Sequence, residues 1–111
     1  MTYQEIYDAL RETGLPVTYE VWDAAEELPP LPYIVFTYPN NNDFYADNTN
    51  YAEIVTLDVR LYTKKKSIAQ ERAVEAVLKE HFYAYAKTSE YVSADAMQET
   101  IYTMEVAINA E

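Results

Sequence analysis

With one glycine in 111 residues, no cysteine and a single histidine, several chemistries are closed to this chain before any pattern is read. Loops that cradle phosphates need glycines where backbone N–H groups approach the ligand, so nucleotide sites of that kind are excluded. No zinc site can be assembled without cysteine or a second histidine. The missing cysteines fit a reducing compartment, or an assembly that never needs crosslinks. No apolar run reaches about 18 residues, and the chain does not open on a basic segment followed by an apolar one. Neither a membrane span nor a signal peptide is therefore expected.

Basic side chains are also few, and unevenly placed. Residues 1–59 carry only Arg11 against eleven carboxylates, a local balance of −10, while residues 60–111 carry seven basic and eight acidic groups, a balance of −1; together these make the net −11. Such a surface repels phosphate backbones, and duplex nucleic acid is a poor partner for it. The same imbalance serves solubility equally well.

Candidate chemistry is thin elsewhere. His81 falls on the apolar side of a predicted helix, where a packed or helix-terminal histidine is expected rather than a catalytic base. Ser67, Ser89 and Ser93 lack the setting of an activated nucleophile. Asp43, Asp47 and Asn48 offer oxygens, but a calcium loop needs a glycine and a closing glutamate that this stretch lacks. Carboxylates are numerous without any spacing that favours a glycosidase-like pair. No catalytic residue, cofactor or metal is expected.

What the chain has in quantity is β pattern and tyrosine, twelve of them. The organising stretch is Tyr51–Thr63, where Val55, Leu57, Val59 and Leu61 alternate with Thr56, Asp58 and Arg60, as a central strand buried on one side requires. Thirteen residues at about 3.3 Å each span on the order of 40 Å, longer than most strands. Before it, Thr2 and Glu5 have capping-box spacing for a helix from Tyr3 to Glu12, with Gly14 as the left-handed stop and Pro16 behind it. Val17–Trp22 and Tyr33–Tyr38 read as strands on either side of a proline-rich connection. After it, Ser67 to Gln70 repeats the capping-box spacing for a helix reaching Phe82, with Val74, Val77, Leu78, His81 and Phe82 on one side. Tyr85–Ser93 and Met97–Ile108 read as the last strands. The expected fold is one α+β domain over residues 1–111, a largely antiparallel sheet of three to five strands with both helices on one face.

Between the second and third strands lies Pro39–Asn50, a polar loop with Phe44 and Tyr45 at its middle. A connection of about twelve residues exceeds most hairpin loops. Two rings are costly to leave in water, so a long projecting hairpin loop with an aromatic tip is expected to anchor an interface. Lys64, Lys65 and Lys66 form a short basic run at the following strand-to-helix turn, either a solvated loop or a match for a neighbour's acidic face.

The order and spacing of Leu15-Pro16-Val17, the proline-rich lead into Pro32-Tyr33-Ile34-Val35-Phe36, Phe44 with Ala46-Asp47-Asn48, Leu61-Tyr62-Thr63-Lys64 and the Tyr91-to-Ile108 ending resemble the tail-terminator, or tail-completion, proteins of long-tailed bacteriophages and prophages. The position of Tyr45 departs from that pattern, where a glycine is common. The resemblance implies a non-enzymatic virion protein, made in the host cytoplasm. It would form a ring, a hexamer by family analogy, at the head-proximal end of the tail. There it ends tail-tube polymerisation and joins the tail to the head connector or head-closure protein. DNA would pass through the ring without specific binding. On this view Phe44, Tyr45, Asp47 and Asn48 touch the neighbouring subunit or the tube, and Lys64–Lys66 meet an adjacent acidic surface. A head-closure or other connector component is the nearest alternative, followed by an acidic DNA mimic that inhibits a DNA-handling enzyme and, last, a small carboxylate enzyme.

Overall fold

The computed structural model describes residues 1–20, 28–41, 44–46, 49–82 and 84–108, with the backbone alone described at 40, 41, 44–46 and 49–52. In chain order the elements are α1 (Tyr3–Arg11), β1 (Val17–Tyr19), β2 (Tyr33–Asn41), β3 (Phe44–Ala46), β4 (Thr49–Thr63), α2 (Ile68–His81), β5 (Ala86–Val92), a 3-10 turn at Ser93–Asp95 and β6 (Met97–Ile108). The sheet runs β1-β2-β4-β6-β5, with β3 added to β4. All pairings are antiparallel except β1 with β2, which is parallel. This is an α+β fold with β4 at its centre.

Local chemistry sets the helix ends. The Thr2 hydroxyl accepts from the Glu5 N–H at 3.1 Å and the Glu5 carboxylate accepts from the Thr2 N–H at 3.0 Å, which completes the capping box. Those bonds also hold the Glu5 carboxyl below its ordinary value. At the other end Glu12 is still right-handed, and the left-handed residue is Gly14, with φ of +80°. It falls one position later than a C′ glycine would, because Thr13 lengthens the turn. The Ser67 hydroxyl likewise accepts from the Gln70 N–H and starts α2.

Alternation does the rest. Cross-strand register sets Ile34 opposite Leu61, Phe36 opposite Val59, Val55 opposite Val106, Leu57 opposite Met104 and Val59 opposite Tyr102. These side chains therefore share one face. Ile6 and Leu10 of α1 and Val74 and Leu78 of α2 close over them, so both helices cover the same side. Leu57, Val59 and Leu61 are fully buried. Each such side chain contributes about 1.5–3 kcal/mol relative to exposure, so the period-two stretch is the energetic centre of the fold.

Among the described residues no helix covers the opposite face. There Tyr62 donates to Glu99 at 2.7 Å, Arg60 reaches Glu99 at 3.3 Å and Asp58 at 3.7 Å, and Thr103 donates to Asp58 at 2.9 Å. Burial and the Glu99 carboxylate push the Tyr62 phenol up to about 12. Tyr33 lies beside Tyr62, their ring centres 5.5 Å apart. A laced polar layer thus satisfies the groups that an uncovered sheet face exposes.

Candidate interface

Much of the Asn-rich connection whose backbone is described is strand. β2 runs on to Asn41 past a register shift between Thr37 and Asn40, and β4 begins at Thr49. Phe44 and Tyr45 fall inside β3, where Phe44 is opposite Ala52 and Tyr45 opposite Asn50. Their backbones therefore belong to a ladder on β4 and not to an open loop. Asp47 and Asn48, like Val21 and Trp22 of the expected first strand, lie outside the described residues.

The lysine run sits at the far end of β4. Lys64 and Lys65 are exposed, whereas Lys66 turns back: its Nζ is 2.9 Å from the Glu71 carboxylate. Glu71 and Glu75 are almost wholly buried under α2. Lys87, arriving from β5, contacts Glu71 at 2.8 Å and Glu75 at 2.7 Å, and the Tyr102 hydroxyl donates to Glu75 at 2.9 Å. Burial works against ionisation of both carboxyls, but the bonds from Lys87, with Lys66 on Glu71 and Tyr102 on Glu75, outweigh it and hold both below the ordinary value. The Lys87 ammonium is raised in turn by the same two carboxylates. This cluster pins β5 to α2. The helical stripe read from Val74, Val77 and Leu78 passed over Glu71 and Glu75, although their spacing from Val74 and Leu78 puts them on the buried side.

His81 ends α2, where its Nε2 is 3.0 Å from the Glu12 carboxylate. Glu12, Glu80 and His81 bring potential ligand atoms within 4.8 Å of one another. Both carboxylates are exposed, and the arrangement is accounted for as a surface contact between His81 and Glu12 at two helix ends.

Sequence reading missed a groove at the ribbon end of the sheet. It encloses about 830 Å³ and is lined by Tyr3, Tyr7, Tyr19, Phe36, Tyr38, Pro39 and Val55. Tyr3 stands edge-on to Tyr38 with centroids 5.0 Å apart, and Tyr19 lies 5.4 Å from Phe36 and 5.6 Å from Tyr38. Tyr3 and Tyr19 are 40% and 47% exposed, large open areas for aromatic rings. The Tyr3 hydroxyl donates to Glu53 at 2.6 Å, and Glu20 stands beside the Tyr19 phenol. The Tyr38 hydroxyl is shut from solvent and has no hydrogen-bond partner among the described residues, and burial pushes its phenol up to about 12. An orphaned hydroxyl costs about 1–3 kcal/mol. The signal in the sequence was the tyrosine count, divided among α1, β1 and β2 and assembled only by folding.

An apolar groove with carboxylates at its rim suits an amphipathic or cationic partner segment. Among the described residues no helix is long and apolar enough to cross a membrane. No protein-family model matches the chain, and no curated protein matches it.

Proposed function

We propose that the chain is a non-enzymatic assembly subunit of a long-tailed phage or prophage. Copies of it form a ring, a hexamer by analogy with the tail terminators it resembles, at the head-proximal end of the tail. The ring ends tail-tube polymerisation and joins the tail to the head connector. The observation that carries this reading is the length of β4. Among the residues of β4 whose burial is described the first buried one is Val55, and toward Thr49 the strand carries β3 paired to it as a ribbon. A 15-residue strand with a second strand added at its leading end offers surface for contact. The acidic balance supports the same use, since a ring of such subunits repels a passing DNA backbone.

Native mass spectrometry and sedimentation of the purified protein, with and without a phage tail-tube protein, test the reading. A closed oligomer at a multiple of 12.9 kDa that caps tubes is expected. Replacing Phe44 and Tyr45 together by alanine should leave the fold intact and weaken the ring. A monomer at every concentration, with tube protein present, would refute the proposal.

A further inference from the structure

We propose that these rings are built head to tail, with the Lys64–Ile68 turn of one copy seated in the aromatic groove of the next. The inference rests on the ring reading above and adds which surfaces meet. The two surfaces lie at opposite ends of the sheet. The β4–β6 register runs from Glu53 opposite Ile108 to Thr63 opposite Gln98, a separation of roughly 33 Å. The turn leaves the sheet directly after Thr63, whereas the groove closes around Val55 and the Tyr3–Glu53 hydrogen bond. A contact between unlike patches at opposite ends is heterologous, and copies joined that way close into a ring when the rotation between them closes.

The chemistry of the two ends is complementary. At the turn, Lys64 and Lys65 are exposed and, among the described residues, have no ionic partner, because Lys66 alone is committed to Glu71. Ile68, the first residue of α2, is 56% exposed and offers an apolar side chain beside those two ammonium groups. At the groove, exposed tyrosine faces stand next to carboxylates, Glu53 on Tyr3 and Glu20 on Tyr19. Lysine ammonium groups are drawn to both the ring faces and the carboxylates, and an isoleucine fills apolar space between rings. Arg11 already lies over Tyr7, 5.7 Å from its ring centre, so a ring of this groove holds a cation in the same way within the subunit. The charge division along the chain has the same polarity: the groove is built from the half with a balance of −10, and the turn from the half near neutrality.

Three variants decide it, with circular dichroism melting as the check on folding. The turn variant is Lys64→Glu with Lys65→Glu. The groove variant is Glu20→Lys with Glu53→Lys. The third carries all four changes. Like charges brought together should weaken association at least about a hundredfold, so each of the first two is expected to sediment as a monomer. Neither variant pairs with itself, but an equimolar mixture of them is expected to regain a ring in which the two alternate, since the turn of each finds an oppositely charged groove on the other. The four-fold variant regains the parent's ring. A turn variant that forms the parent's oligomer overturns the head-to-tail contact while leaving the ring reading intact. Parent protein that stays monomeric with tube protein present removes both. Ile68→Ser, which leaves every charge in place, should also loosen the ring, and an unchanged ring would count against the groove as its seat.

Discussion

Lys87→Met is the sharpest test of how this fold is held. Among the described residues the ammonium is the one cation that reaches the carboxylates of both Glu71 and Glu75, residues that are 1% and 6% exposed. Removing it leaves Glu71 to Lys66 and Glu75 to the Tyr102 hydroxyl. Breaking a buried pair costs about 3–5 kcal/mol. The Lys87 side chain is 35% exposed, so solvent screening reduces the expected loss to about 2–3 kcal/mol. At roughly 2.1 cal/mol/K per residue, the unfolding entropy of this chain is about 0.23 kcal/mol/K, and Tm at pH 7 should fall by about 9–13 °C. The pH dependence gives the claim its sign. Folded Glu71 and Glu75 titrate below 4.5, so their contribution is present above that value and is lost as pH falls through the depressed folded values. Lys87 titrates above 10.5 when folded, and its contribution is present below that pH. In the variant, burial without Lys87 drives the carboxyls upward, and they take up protons readily on acidification. The gap in Tm between parent and variant should therefore narrow from pH 7 to pH 4. Thermal melts by circular dichroism measure it. A gap that is the same at both values, or below about 0.5 kcal/mol at pH 7, would show that the cluster behaves as a surface ion pair.

Two further outcomes follow from single hydroxyls. Tyr38→Phe removes a buried, unpartnered hydroxyl and should leave stability unchanged or raise it by about 1–2 kcal/mol, read from the urea midpoint. Thr2→Ala removes the hydroxyl half of the α1 capping box and should cost about 1 kcal/mol, near 4 °C in Tm, in the same melts.

How far the sequence carried can be judged from particular elements. Val55, Leu57, Val59 and Leu61 alternate without a break, and β4 is the central strand that pattern requires. Thr2 with Glu5 and Ser67 with Gln70 mark both helix starts, because capping is local and needs no tertiary partner. What was not legible depends on distant parts of the chain. The parallel pairing of β1 on β2 is set by packing across a proline-rich connection and has no local signature. β3 hid in a polar run because its ladder on β4 is made by backbone groups, which composition does not register. Glu71 and Glu75 pass for solvent-facing residues until β5 delivers Lys87. The aromatic groove draws on three separate elements, none of which shows a site alone.

The continuity of β4 has a mechanical side. Its ladder to β6 is unbroken from Glu53 to Thr63, and β2 flanks it on the other edge. A pull that draws this strand lengthwise past its neighbours loads those bonds in shear, because antiparallel hydrogen bonds lie across the strand axis. They share the force and must fail together instead of unzipping one by one. The strand behaves as a tie rod through the subunit, stiffest along its own axis.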